Sequence, residues 1–327
     1  KEQKTEERLK RKALETQFRH LEEGGKEKVL HALSGVYNLP RSVMFSGDLG
    51  FLFAQGLPTL LMHPTAWLKA VSTGIPAALT DKRFEAAITE LYETEERKRL
   101  ETGGVKFEQI GNIADFNDDF MSDIARHIPI VKQTNRAHSL TTDLFRLYGG
   151  AADLAELDKM YEAGKLGKTP EENAFNYNRS KEFLTKKWVN VMSGKGYLGL
   201  LDPLGKTLAQ VGSAPRYTVS AFQIPYYANP LRAAMLPKGA RKIMMKNSAK
   251  LWMPIIGLMF VLSKLGLINL DPEDKDFLVV DMGKLLGIQD LKINPLRALK
   301  EPVRLTIGLP AKMVYYAITG NRDGFER

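Results

Sequence analysis

The chain has 327 residues, a net charge of +9, 44% hydrophobic residues and no cysteine. That length admits two ordinary domains or one extended helical assembly; the lack of Cys excludes disulfide staples, thiolate metal sites and cysteine nucleophiles. The positive excess is confined to one window: from Pro203 to Leu270 there are nine Lys or Arg residues and no Asp or Glu, while the other 259 residues carry 38 charges of each sign.

Residues 1–42 read as a charged helical arm, in which Leu9, Leu14, Phe18 and Leu21 recur at helical spacing before Gly24 and Gly25 punctuate the run. The opening stretch from Lys1 to Lys12 has no apolar core of the kind a signal peptide needs, so none is expected, and the chain reads as an internal piece of a longer or processed polypeptide. Composition then switches. In residues 43–80 only Asp48, His63 and Lys69 are ionisable, and Pro58, Pro64 and Pro76 divide the segment into short helices. None of these reaches the ~20 residues of a bilayer crossing, so the region either lies along an interface or packs in a core.

Residues 81–183 form a polar helical block. Its first helix is expected over 81–102, with Asp81 as N-cap, Phe84, Ile88, Leu91 and Tyr92 on one face, and Gly103-Gly104 as the stop. Three more helices are expected near 115–127, 136–148 and 151–163, separated by Pro129 and by Gly149-Gly150. Asp115, Asp118, Asp119 and Asp123 lack the central Gly and terminal Glu of a calcium loop, and they suit a helix N-terminus instead. Strand signals are short and sparse throughout.

Residues 184–270 hold the basic window and end in an apolar helix. Gly194-Lys195-Gly196-Tyr197-Leu198-Gly199 has the glycine spacing of a dinucleotide fingerprint and follows a β-like run, Trp188 to Met192. Pro203 cuts the following helix short and the next acid after Asp202 is Asp271, so the stretch reads as a turn between helices. The histidines, His20, His31, His63, His127 and His138, show no metal-ligand spacing with a carboxylate. Ser193 lacks the preceding Gly of a nucleophile elbow. No catalytic residue, metal or cofactor is assigned.

The run from Leu251 to Asn269 would make about 28 Å of helix, close to the ~30 Å of a bilayer's hydrocarbon. Lys238, Arg241, Lys242, Lys246 and Lys250 precede it, Asp271, Glu273 and Asp274 follow it, and Pro254 falls in its first turn, which together match a positive-inside flank. Lys264 argues against a span, because a mid-helix Lys costs about 2.5 to 3.5 kcal/mol to insert. Insertion, an interfacial helix and a buried helix in a soluble assembly all stay open. The residues expected to touch a membrane or anionic surface are Lys238, Arg241, Lys242, Lys246, Lys250, Leu251, Trp252, Phe260 and Lys264. Residues 271–327 complete the chain as a helical, proline-rich region in which Pro302 and Pro310 interrupt the stretch from Pro295 to Ile318.

Several local stretches occur together in a characteristic order. They are Phe53-Ala54-Gln55-Gly56 with His63-Pro64-Thr65-Ala66-Trp67; Phe120-Met121, Ile128-Pro129 and Asn135-Arg136-Ala137; Val189-Asn190 with Ser193-Gly194-Lys195-Gly196; Ser213-Ala214-Pro215-Arg216; and Asp271-Pro272 through Asp281-Met282-Gly283-Lys284. This order, over residues 43–305, resembles the C-terminal region of the large polyvalent proteins of tailed phages and integrative elements. The sequence departs from that family where Leu278 to Met282 separate Asp276-Phe277 from Gly283-Lys284. The resemblance implies a phage internal virion or ejection protein, packaged in the virion interior and delivered to the host cell envelope on infection, with no catalytic residue here. The implied partners are further copies of itself, other phage virion proteins, an anionic lipid membrane and phage DNA. The expected fold is mainly α: an extended helical assembly of apolar Gly/Pro-broken helices with a candidate membrane-active helix. The rival reading is a soluble nucleic-acid-binding or scaffold module of a large phage polyprotein.

Overall fold

The structure is a computed structural model that describes residues 52, 55–107, 129–199, 215–286, 292, 293, 300 and 304. The charged helical arm expected over 1–42, the helix expected over 115–127, the Asp115 to Asp123 carboxylates and nearly all of the 295–318 stretch lie outside the described residues. The described chain is mainly helical. In order it forms α1 (Leu57–Met62), α2 (Pro64–Ala78), α3 (Asp81–Glu93), α4 (Glu95–Thr102), α5 (Pro129–Glu162), α6 (Pro170–Phe183), a π-helical turn (Leu184–Val189) and α7 (Asn190–Met192). Then follow α8 (Pro215–Tyr227), α9 (Pro230–Ala233), α10 (Lys238–Lys264) and α11 (Met282–Leu286), with one antiparallel pair between β1 (Val280–Asp281) and β2 (Lys292–Ile293).

Proline opens many of these helices. Pro58, Pro64, Pro170 and Pro230 occupy the first turns of α1, α2, α6 and α9, where the missing N–H had no intrahelical partner to lose. The 34-residue α5 is the axis of the body, and α2, α4, α6 and α10 all pack on it. Leu140, Leu144, Phe145, Leu147, Leu154 and Leu157 of α5 are buried. Small residues of α2, namely Ala66, Ala70, Gly74 and Ala77, face it, and a Cβ on Gly74 would come within 2.2 Å of Thr141 Oγ1. One face of α2 is therefore packed in the core, with Trp67 stacked at 6.5 Å on Phe145, while Leu68 and Leu79 stay exposed.

Three expected boundaries are corrected. The helices placed at 136–148 and 151–163 are one helix, because Gly149 and Gly150 are sites of close approach, where added Cβ atoms would lie 2.6 Å from Met192 Cε and 3.0 Å from Leu100 Cδ2. Packing gained there outweighs the roughly 1 kcal/mol helix penalty of each glycine. The helix placed at 81–102 is two: Thr94 takes an extended backbone between α3 and α4, and the N-cap is Thr80, whose Oγ1 accepts from Arg83 N at 3.3 Å. Asp81 pairs instead with Arg136 across to α5. Trp188 to Met192 is helical rather than β-like, since Trp188, Val189 and Met192 are all buried against the axis.

Candidate functional site

α10 runs for 27 residues from Lys238 to Lys264, about 40 Å at 1.5 Å of rise per residue. The first half is docked firmly. Gly239, Ala240, Ile243, Met244, Asn247, Ser248, Leu251 and Ile255 are buried, a three-to-four spacing that lays one stripe of the helix against α5 and α6. Gly239 allows the closest approach: a Cβ there would meet Leu157 Cδ1 at 2.4 Å. Ser180 Oγ caps the start by accepting from Ala240 N at 3.0 Å. Deeper in, the carboxylate of Asp153, 1% exposed, accepts from Asn247 Nδ2 at 3.0 Å and lies 3.2 Å from His63 Nε2. This polar knot joins α10 to α5 and to the junction of α1 and α2.

Past Ile255 no α10 residue is fully buried. Residues 267–281 cover one flank, with Phe277 and Leu278 packing on Trp252, Met259 and Leu57. Away from that flank are exposed residues at helical spacing, Lys238, Arg241, Lys242, Met245 and Lys246, then Ala249, Met253, Ile256, Gly257, Phe260 and Lys264, and Pro254, Leu258 and Val261 are exposed beside this stripe. The stripe is basic in the N-terminal half and apolar in the C-terminal half, with Met253 71% and Phe260 60% exposed.

The residues singled out in the sequence divide into groups. No carboxylate among the described residues pairs with Lys238, Arg241 or Lys242, and Arg241 donates to the Leu236 carbonyl at 3.3 Å. Lys246 is partly committed, to Glu156 of α5, and Lys250 donates to the Met62 carbonyl at 2.9 Å. Both contacts tie α10 to the body. Phe260 is exposed and Lys264 sits 5.5 Å from its ring centroid. Leu251 is a correction, because it is fully buried in the core, on the docked stripe. Trp252 is half-buried, and its Nε1 donates to the Ala228 carbonyl at 2.9 Å.

The 19-residue helix expected over Leu251–Asn269 is corrected as well. α10 starts thirteen residues earlier, so Pro254 is interior to it, and it stops at Lys264. Gly266, with φ +65°, terminates it: Gly266 N donates to Ser263 O at 3.0 Å and Leu267 N to Leu262 O at 2.8 Å, a Schellman stop. From Leu251 to Lys264 the helix is about 20 Å long, well short of a ~30 Å hydrocarbon layer. No helix among the described residues is long and apolar enough to cross a membrane.

The other candidate chemistry resolves into structure. Gly194 (φ +85°) and Gly199 (φ +64°) make a turn, and Gly196 N donates to Arg216 O at 3.1 Å. Ser193 is buried, accepting from Arg146 Nε at 2.8 Å and donating to Val189 O at 2.9 Å, with no imidazole among its hydrogen-bond partners. His138 lies 3.1 Å from Gln55 Oε1. Burial, then the charges of Arg146 and Lys195, push its pKa down to about 4, so it is neutral at pH 7. No cluster of metal-ligating side chains occurs among the described residues. Compared with known protein families, curated proteins and solved structures, the chain gives no match.

Proposed function

We propose that this chain is a structural, non-enzymatic segment of a phage internal virion (ejection) protein, and that it engages an anionic membrane surface through the exposed face of α10 during genome delivery. One observation carries the reading: an exposed surface of one helix that is basic over one half and apolar over the other, within a window free of acidic residues. Headgroup phosphates attract the cationic half at about 1 kcal/mol per cation near the surface. The apolar half gains from leaving water. A nucleic acid would match the first half alone. The helix length favours a helix lying in the interface over one that spans.

The family resemblance supplies the setting: the virion interior, then the host envelope, with further copies of the chain and other virion proteins as partners. The uncovered face of α10 also suits assembly of copies before lipid is met. Flotation with vesicles tests the function. The full chain should float with anionic vesicles and not with purely zwitterionic ones. Replacing Lys238, Arg241 and Lys242 together by Gln should weaken binding by on the order of a hundredfold at low salt. Equal flotation of parent and triple variant would refute the electrostatic docking.

A further inference from the structure

The two most exposed apolar side chains of the described protein are on neither α10 nor the apolar 43–80 region. They are Leu231, 81% exposed, and Met235, 84% exposed, at the elbow where α9 connects α8 to α10. This elbow is not a loose loop. Asn229 caps α9, its side chain accepting from Leu231 N at 2.9 Å, and the turn closes through Ala234 N to Pro230 O at 3.1 Å and Leu236 N to Ala233 O at 3.1 Å. Ala228 and Ala233 are fully buried, Leu236 packs against the core, and Trp252 Nε1 holds the Ala228 carbonyl at 2.9 Å. The elbow is thus clamped from below while its apolar tip faces outwards.

Among the described residues nothing covers these two large apolar side chains, which sit four positions apart on one ordered turn. What surrounds them indicates the occupant. Tyr226, 51% exposed, lies beside the tip with the Arg232 guanidinium 3.9 Å from its ring centroid. Arg241 reaches back to the Leu236 carbonyl, next to Met235, and Lys238 begins α10 just beyond. No Asp or Glu occurs between Pro203 and Leu270. An apolar tip ringed by cations and a tyrosine is complementary to an anionic headgroup layer over hydrocarbon.

We infer that the α9 elbow is a second membrane contact, a preformed wedge whose Leu231 and Met235 enter the acyl region while Arg232, Lys238 and Arg241 engage headgroup phosphates. This inference rests on the membrane reading of α10 and adds a distinct site to it. Because the turn is already ordered, insertion costs little conformational entropy.

The absence of native cysteine makes a site-specific test clean. A full-length Leu231→Cys variant carrying an environment-sensitive fluorophore is compared with the same label at exposed Glu85→Cys, on vesicles containing phosphatidylserine. The label at position 231 should shift to the blue and be quenched by bromine-labelled acyl chains; the label at position 85 should not. The unlabelled Leu231→Ser, Met235→Ser double variant should keep the parent melting temperature and lose about tenfold or more in vesicle partitioning. If the parent floats but the label at 231 stays in water, the wedge is refuted and the α10 reading stands. If the parent does not float at all, the α10 reading falls and the wedge falls with it. A blue shift without vesicles that grows with protein concentration assigns the elbow to a second copy of the chain. A shift with duplex DNA alone assigns it to nucleic acid, and either result overturns the proposal.

Discussion

His138 lies against Gln55 and within reach of the charges of Arg146 and Lys195. Burial first, then Arg146 and Lys195, hold its pKa down to about 4, whereas in the unfolded chain an imidazole titrates near 6.5. Between those values the unfolded chain takes up a proton that the folded chain refuses, so stability rises with pH across the window and is lost on acidification. The residue keeps a partly exposed edge, which reduces the effect to roughly 1–3 kcal/mol. Urea denaturation at pH 7 and pH 4.5 should therefore show a smaller acid penalty for His138→Gln than for the parent; equal penalties would exclude His138 as the source. Next to it, Arg146 and Asp143 form an ion pair, both buried, and Arg146 also donates to Ser193. Asp143→Ala strands a buried guanidinium and should cost about 3–5 kcal/mol in the same assay.

Within α10 two glycines have opposite meanings. Gly239 lies where a Cβ would strike Leu157 and Ser180, while Gly257 has nothing within 4 Å. Gly239→Val should destabilise by about 1–3 kcal/mol through overpacking, and Gly257→Ala should stabilise by roughly 0.5–1 kcal/mol through reduced unfolded-state entropy. Thermal melts of the two variants should move in opposite directions. Gly257→Arg is a sharper probe, since it places a charge on the exposed apolar face and buries nothing. It should leave the melting temperature nearly unchanged while reducing vesicle binding, because an arginine disfavours the acyl region. A large fall in melting temperature would show that the face is covered within the folded body.

At the scale of the molecule, α2 packs its small-residue face on α5 and leaves Leu68 and Leu79 exposed, whereas Met253, Ile256, Phe260 and Val261 stay exposed together on α10. Contiguous apolar surface of this kind demands a partner, lipid or protein. The full chain should bind an extrinsic hydrophobic dye without detergent, and Met253→Ser, Ile256→Ser and Phe260→Ser combined should reduce that signal. Unchanged fluorescence would locate the exposed apolar surface elsewhere.

The sequence alone determined the helical class and the concentration of charge in one acid-free window, because these are local properties of composition and spacing. It could not determine what tertiary packing arbitrates. Gly149-Gly150 reads as a break but is the close-contact point of the central helix, since a glycine's missing side chain permits either outcome until a neighbour such as Met192 or Leu100 arrives. Leu251 and Phe260 are equally apolar, and only the docking of α10 turns one inwards and leaves the other in water. Lys246 and Lys250 look like their neighbours in sequence, yet Glu156 and the Met62 carbonyl claim them from far along the chain. The elbow was invisible for the same reason: Leu231 and Met235 are ordinary apolar letters, and their outward position follows from the burial of Ala228 and Ala233 beneath them. Periodicity reports which faces a helix has; which face is left uncovered is decided by the elements that pack against it.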